Sequence, residues 1–210
     1  CEPSDDPRLK LPPFSTSPNT YVMHRHMLRV SQSFHNVCRS AARARRRVYV
    51  VSSSDTVRPA ETSSCTERLR RDVLRLPQPR RTKYVPGVQL FYIQMRLLLF
   101  WKGCVRLGLM RGCPCVLEDI VFQPAERAGL GAADDELYLV QYMPVALLLR
   151  AVGAQWVLPA DQLPALPKHL DRRGLFLLKP TAVHFVHEKL HIKRVGFAVQ
   201  DASVRVVWSA

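Results

Sequence analysis

Positive charge is concentrated in the first half of this 210-residue chain, and that limits what this half can fold into. Residues 1–110 contain 20 Lys and Arg against 7 Asp and Glu, a net charge of +13. Residues 111–210 contain 11 against 10, a net charge of +1. Because like charges repel one another, we expect this half of the chain to meet a polyanionic partner that neutralises them.

The first 83 residues are predicted to form a basic, Arg-rich and largely helical extension. Apolar side chains recur at helical spacing from Met23 to Ala41, which predicts an amphipathic helix over about 21–47. A short strand is expected at 48–51 and a second helix at about 65–76. The segment "PQPRRTKYVPG" follows, and its prolines cannot continue a helix, so we place a domain boundary near residue 84.

Residues 84–210 are predicted to form a small mixed domain of the α+β class. The run 88–102 is apolar on almost every side but too short for a membrane span, which needs about 20 apolar residues, so it predicts a buried helix. A second helix is predicted at 144–153, with Pro144 at its first position. The segments "CVLEDIVF" and "ELYLVQYM" predict strands. An antiparallel β-meander is predicted at the C-terminal end, from "LFLLK", "AVHFVH", "LHIKRVGFAV" and "VRVVW".

The segment "FVHEKLHIKR" contains His187-Glu188-x-x-His191, which on a helix is the spacing of a zinc peptidase site. Such a site needs a third ligand from downstream, and Asp201 is the only acidic residue after His191. Apolar and polar residues alternate on both sides of the motif, which predicts a β-hairpin with its turn at 187–189. The two histidines would then lie on different strands, so we interpret the motif as a coincidence.

The six cysteines are too few for a disulfide scaffold and show no paired spacing, so reduced thiols are expected. Cys113 and Cys115, with Cys104 nine residues earlier, offer three thiolates to a metal, but a fourth ligand in register is missing. We favour small side chains that pack at a turn entering a strand, and leave open whether the three share a metal site. No cofactor and no metal site are predicted.

Three runs of basic residues lie in the extension with few acidic neighbours, and we interpret them as contacts to RNA phosphates. Contacts of this kind position a protein on its partner with little readout of base sequence. Tyr49 and Tyr84 lie near these runs and are candidates for stacking on bases. The predicted RNA-binding residues are Arg39, Arg43, Arg45, Arg46, Arg47, Arg68, Arg70, Arg71, Arg80, Arg81 and Lys83.

A compact domain with a long Arg-rich arm is the architecture of many ribosomal proteins, whose arms thread between rRNA segments. The chain is therefore predicted to be a structural, non-catalytic component of a mitochondrial ribosome, bound to rRNA and to neighbouring proteins in a large assembly. No small-molecule substrate and no membrane contact are expected. Two alternatives stay open: an accessory subunit of a mitochondrial membrane complex, and a zinc hydrolase built on the His187 motif.

A location in the mitochondrial matrix is predicted from the composition near the start of the chain. Residues 7–54 contain nine Arg or Lys and no acidic residue, a bias typical of mitochondrial presequences. The chain begins with Cys1 rather than Met, so a preceding segment is expected to have been removed.

Overall fold

The computed structural model of the protein describes residues 21–22, 26–58, 67–76, 81–100, 105–129, 136–163 and 170–205. Within these ranges the chain forms a few helices and several sheets that are mainly antiparallel, so the predicted α+β class is confirmed. No helix in this part of the chain is long and apolar enough to span a membrane.

The helices are α1 (His26–Arg43), α2 (Glu67–Leu74) and α3 (Pro124–Gly129). The first strands are β1 (Tyr21–Val22), β2 (Val48–Ser52), β3 (Ser54–Val57), β4 (Val88–Phe91), β5 (Arg96–Leu99) and β6 (Pro114–Val121). The later strands are β7 (Leu137–Leu139), β8 (Ala146–Ala151), β9 (Leu175–Leu178), β10 (Thr181–His187), β11 (Leu190–Gly196), β12 (Val199–Asp201) and β13 (Val204–Arg205). Short 3₁₀ turns lie at Val105–Leu107 and Ala160–Gln162.

A five-stranded antiparallel sheet, in the order β12-β5-β6-β8-β9, is the largest sheet of the described chain. Strand β8 is buried on both of its faces. Leu147 and Leu149 point into the main hydrophobic core. Leu148 points the other way, into a smaller cluster with Leu163 and Leu175. The sheet therefore separates two apolar layers.

The helix predicted at 144–153 is wrong, because this segment contains strand β8. A strand that is buried on both faces shows no alternation of polar and apolar residues and appears in the sequence as a continuous apolar run. A buried helix gives the same run, so periodicity alone cannot separate the two.

The helix predicted at 88–102 is also wrong, because the described part of this run forms β4, a turn and β5. Gln94 has a positive φ of 72°, and the Met95 amide donates a hydrogen bond to the Tyr92 carbonyl at 3.0 Å, so the chain turns here. Strand β4 pairs with β2, whereas β5 pairs with β6 and β12. One apolar run thus supplies strands to two sheets.

Helix α1 packs on the main core and ends in a hydrogen-bonded cap. Val37 and Ala41 are buried in the main cluster. The Arg46 amide donates to the Ala41 carbonyl at 2.8 Å, and the Arg45 amide donates to the Ala42 carbonyl at 3.1 Å. Arg45 has a positive φ of 50°, at the position where Gly most often ends a helix. The cap turns the chain sharply from α1 into β2.

The predicted extension contributes strands to the sheets of the remaining chain. Strand β2, predicted at 48–51, is confirmed, and it pairs antiparallel with β4 and parallel with β7. Strand β3 pairs antiparallel with β11, and β1 pairs parallel with β13. Helices α1 and α2 lie within the ranges predicted for them. The domain boundary near residue 84 stays a prediction.

Strands β10 and β11 form the predicted hairpin, and β3 completes a three-stranded sheet in the order β10-β11-β3. His187 pairs with Leu190, so the turn contains only Glu188 and Lys189. Both have positive φ, 46° and 69°. Two-residue turns of this shape favour Asn-Gly, because other side chains are strained there. Of the other C-terminal strands, β9 and β12 join the five-stranded sheet.

Relief of this strain is expected to stabilise the fold. The double change Glu188→Asn and Lys189→Gly should raise the free energy of unfolding by about 1 kcal/mol. In the wild-type turn both residues have a left-handed backbone conformation, which Asn and Gly adopt with less strain. For a chain of this size that corresponds to a rise in Tm of about 2–4 °C, measurable by circular dichroism. Lys193→Gln, on the same hairpin but outside the turn, is the control. An unchanged or lower Tm in the double variant would contradict the prediction.

Candidate nucleic-acid interface

Five of the predicted RNA-binding arginines lie on the last turns of α1 or just after it. Four of them are exposed, and within the described ranges no acidic side chain forms an ion pair with them. These four are Arg39, Arg43, Arg45 and Arg46. Arg47 differs, because it is half-buried and its Cζ lies 5.9 Å from the centre of the Tyr138 ring. The exposed four all lie on the last turns of α1 or in the cap that follows it.

The arginines of α2 are partly compensated by acids on the same helix. Arg68 Nε lies 3.9 Å from Asp72, and Arg71 Nε lies 3.7 Å from Glu67. Both pairs are exposed, and pairs of this kind are weak in water. Arg70 is exposed and has no ion pair among the described residues. The ion pairs of Arg68 and Arg71 were not expected from the basic run. The RNA-binding roles of Arg68, Arg70 and Arg71 stay predictions.

The third basic run forms a tight turn before β4. Arg81 and Lys83 are exposed, whereas Thr82 between them is buried. Lys83 and Tyr84 both have positive φ, 47° and 69°. A bulky aromatic residue rarely adopts this backbone conformation, and strain of this kind persists only where surrounding contacts hold it. Arg80 lies outside the described residues.

Tyr84 belongs to a stack of three side chains, which we name the aromatic platform (Tyr84, Phe100 and Arg111). The rings of Tyr84 and Phe100 are nearly parallel, with an angle of 8° and centres 5.0 Å apart. The guanidinium carbon of Arg111 lies 3.8 Å from the Tyr84 ring centre and 5.4 Å from that of Phe100. Tyr84 and Phe100 are half-buried, and Arg111 is exposed.

Arg111 and Phe100 lie over the same face of Tyr84. Stacked carbon atoms stay about 3.5 Å apart, so a guanidinium on the opposite face would lie about 7 Å from the Phe100 ring. The observed distance is 5.4 Å, which excludes that arrangement. The second face of Tyr84 is therefore covered by neither group. Neither ring belongs to one of the hydrophobic clusters that the described residues form.

Tyr84 and Phe100 also line an apolar groove of about 300 Å³. Helix α1 contributes Val30, Phe34 and Val37 to the lining, and the segment 86–91 contributes much of the rest. Arg75, after α2, adds a positive charge. The groove and the platform together combine apolar surface, aromatic rings and cations.

Buried hydrogen bonds hold the turn that carries Tyr84. The Val85 amide donates to the Thr82 carbonyl at 3.0 Å, which closes the turn. Ser53 Oγ donates to the Pro86 carbonyl at 2.6 Å. Arg194 Nη1 donates to the Val85 carbonyl at 3.3 Å. The platform is thus fixed to β11 and to the segment between β2 and β3 rather than to a free loop.

The sequence pattern pointed to Tyr84 but not to Phe100 or Arg111. These two residues come together because the chain returns on itself between β5 and β6, where the Gly112 amide donates to the Leu99 carbonyl at 2.7 Å. Gly112 has a positive φ of 88°, a conformation that favours glycine, so this residue could have indicated the turn from the sequence. Tyr49, the other stacking candidate, packs against the rings of Phe122 and Tyr138.

The two histidines of the HExxH motif do not share a face. His187 ends β10, whereas His191 lies on β11 opposite Val186, with its side chain exposed on the outer face of the sheet. The helical geometry of a zinc peptidase is therefore absent from this segment. In the described ranges no group of three or more His, Cys, Asp or Glu is placed to hold a metal ion.

Cys113 and Cys115 lie where the chain enters β6, as expected for residues at a turn before a strand. Burial raises the pKa of the Cys115 thiol, and the neighbouring Cys113 raises it further. A raised thiol pKa is usual for a cysteine that is buried in a core, and it disfavours the nucleophilic thiolate form of Cys115. Cys104 lies outside the described residues.

No protein-family model and no curated protein matches the chain. Among solved structures, the chain is similar to the Pif1 helicase from Candida albicans, with a TM-score of 0.47 and 14% sequence identity. The similarity covers 89% of this chain and 35% of that chain.

This comparison contradicts two predictions made from the sequence. The similar structure is that of a helicase, which is an enzyme, rather than that of a ribosomal protein. The prediction of a structural component of a mitochondrial ribosome is therefore wrong on this finding, and so is the prediction that the chain has no enzymatic role. Neither is retained, and the two alternatives to the ribosomal prediction are not retained either.

Proposed function

We propose that the chain binds single-stranded nucleic acid, with a base stacked on Tyr84 and phosphates held by the nearby cations. The observation that carries this proposal is the aromatic platform. Its two rings are half-buried, lie outside the core clusters of the described chain and include a tyrosine with a strained backbone. Aromatic rings beside cations are the usual means by which proteins bind single strands.

A single strand fits the platform better than a duplex does. In a duplex each base is stacked between its neighbours, so its faces are not accessible to a protein side chain. An unpaired base can lie on the face of Tyr84 that Phe100 and Arg111 leave uncovered. Arg81 and Lys83 lie close to Tyr84 in the chain and are exposed, and they would contact the adjacent phosphates.

The broader part of the partner prediction, a nucleic acid, is kept in this proposal, whereas a specific rRNA is not. The Arg residues at the end of α1 are proposed as further phosphate contacts. A location in the mitochondrial matrix is also a proposal, and it rests on the composition of residues 7–54.

Removal of the Tyr84 ring tests the proposal. Tyr84→Ala should weaken binding of a fluorescent 12-nucleotide single strand by about 1–3 kcal/mol, roughly 5- to 150-fold, because the stacked base loses its partner. Fluorescence anisotropy measures the dissociation constant, with a duplex of the same sequence as a second probe.

Two control variants separate stacking from damage to the fold. Tyr84→Phe keeps the ring and should retain most of the affinity. Tyr142→Ala removes an exposed tyrosine elsewhere on the surface and should bind as the wild type does. Equal affinity in Tyr84→Ala and the wild type would disprove the platform as a binding site.

A further inference from the structure

Strand β10 is the longest strand at the edge of a sheet in the described part of the chain. It has seven residues, whereas the other edge strands there have four or fewer. All seven pair with β11 in one unbroken register, from Thr181 opposite Gly196 to His187 opposite Leu190. Within the described ranges no strand pairs with the other side of β10. That side is therefore an open edge.

Hydrogen bonding in β11 shows which peptide groups of β10 point outward. The His191 carbonyl accepts the Arg58 amide at 3.3 Å, so His191 bonds toward β3. Its neighbour Ile192 must then bond toward β10, where it lies opposite Phe185. Because peptide groups alternate between the two sides of a strand, every second residue of β10 points away from β11. These residues are Ala182, His184 and Val186, and all three are exposed.

The outward peptide groups of β10 are unprotected. In the described ranges the amides and carbonyls of Ala182, His184 and Val186 have no hydrogen-bond partner. Proteins usually protect such an edge with a charged side chain, a proline or a β-bulge. The sequence of β10, TAVHFVH, has no charged residue or proline, and its register has no bulge. By contrast, β3 at the opposite edge of this sheet is shorter and carries Asp55.

We propose that β10 pairs with β10 of a second copy of this chain, antiparallel and across a two-fold axis at His184. Ala182 of each copy then lies opposite Val186 of the other, and the two His184 residues face each other. Each of these outward pairs exchanges two hydrogen bonds. The two three-stranded sheets become one continuous sheet.

A second copy is the occupant that matches the side chains of this edge. Antiparallel pairing about His184 places Val183 of one copy opposite Phe185 of the other on the inner face of the sheet. Both residues already belong to the apolar cluster beneath this sheet, so pairing extends that cluster. No Lys, Arg, Asp or Glu lies on β10, so pairing brings no like formal charges together. These residues are separate from the aromatic platform, and the inference does not depend on the proposed function.

Sedimentation equilibrium of the whole chain, up to about 500 μM, measures the monomer–dimer equilibrium. The wild type should dimerise. Ala182→Lys with Val186→Lys places two like charges opposite each other in both outer pairs, whereas Ala182→Glu with Val186→Lys places opposite charges there. The dissociation constant of the first double variant should be at least about 10-fold higher than that of the second. Val152→Lys with Val157→Lys adds the same net charge at exposed valines elsewhere and should dimerise as the wild type does.

His184→Pro removes an outward amide but no hydrogen bond to β11, and His184→Ala keeps that amide. The proline variant should bind its copy at least about 30-fold more weakly than the alanine variant, because the dimer contains this position twice. Circular dichroism shows whether each variant is folded.

Hydrogen exchange of the wild type tests the edge without any substitution. The amides of Ala182, His184 and Val186 should become protected as the protein concentration rises and dimer forms. A chain that stays monomeric throughout the range would overturn the proposal. So would a dimer that leaves these amides unprotected, or one that is equally stable in the two charge variants.

Discussion

Asp55→Ala is expected to lower the free energy of unfolding by about 3–5 kcal/mol, because it leaves the Arg194 guanidinium buried without its counter-charge. Arg194 is fully buried, and Asp55 is its ion-pair partner. The guanidinium also donates to the Val73 carbonyl at 2.8 Å and lies over the Phe185 ring. This one side chain therefore connects β3, β10, β11 and the end of α2.

Chemical denaturation measures the effect, and a second ion pair of the chain provides the control. Asp171 and Arg173 also approach to 2.7 Å, but both are about half exposed. Asp171→Ala should change stability little, because water already screens that pair. The double variant Asp55→Ala and Arg194→Met should recover part of the loss, since it removes the buried charge. Similar losses in Asp55→Ala and Asp171→Ala would contradict the argument.

Gly87→Ala is expected to destabilise the fold by about 3 kcal/mol, at the upper end for an overpacked position. A Cβ at Gly87 would lie 2.1 Å from the Leu74 carbonyl oxygen and 2.6 Å from the Leu74 Cα. Both atoms belong to the backbone of α2, so no side-chain rotation can relieve the contact. The helix end would have to move away from the segment that follows the Tyr84 turn.

Gly153→Ala separates this clash from ordinary backbone strain. Gly153 has a positive φ of 78°, but among the described residues other than its two chain neighbours no atom lies within 4 Å of the position that a Cβ would take, so Ala there should cost only about 1–2 kcal/mol. Denaturation curves of the two variants give the comparison. Equal losses of unfolding free energy would mean that a small movement of the backbone relieves the contact with Leu74. The predicted role of Gly87 would then be wrong.

The sequence predicted strands best where one face meets solvent. In β10 and β11 the exposed and buried residues alternate, and the hairpin was predicted correctly. In β8 four consecutive residues are buried, so no alternation was available and a helix was predicted instead. The difference lies in what covers each strand, which depends on distant parts of the chain.

The candidate site was only partly predictable for a similar reason. Tyr84 was noticed because it follows a basic run, but its partners come from another part of the chain. Phe100 and Arg111 meet it only after β5 and β6 have paired. By contrast, the acids that pair with Arg68 and Arg71 lie four residues away on a helix that was predicted, so this pairing could have been found from the sequence.

The double burial of β8 has a consequence for hydrogen exchange. The amides of Leu147, Leu148 and Leu149 lie in the interior of the five-stranded sheet, with apolar layers on both sides. Solvent deuterium can reach such amides only when the whole fold opens, so their exchange should be among the slowest in the chain. Their exchange rates would then report global stability directly, at three adjacent positions and without added denaturant.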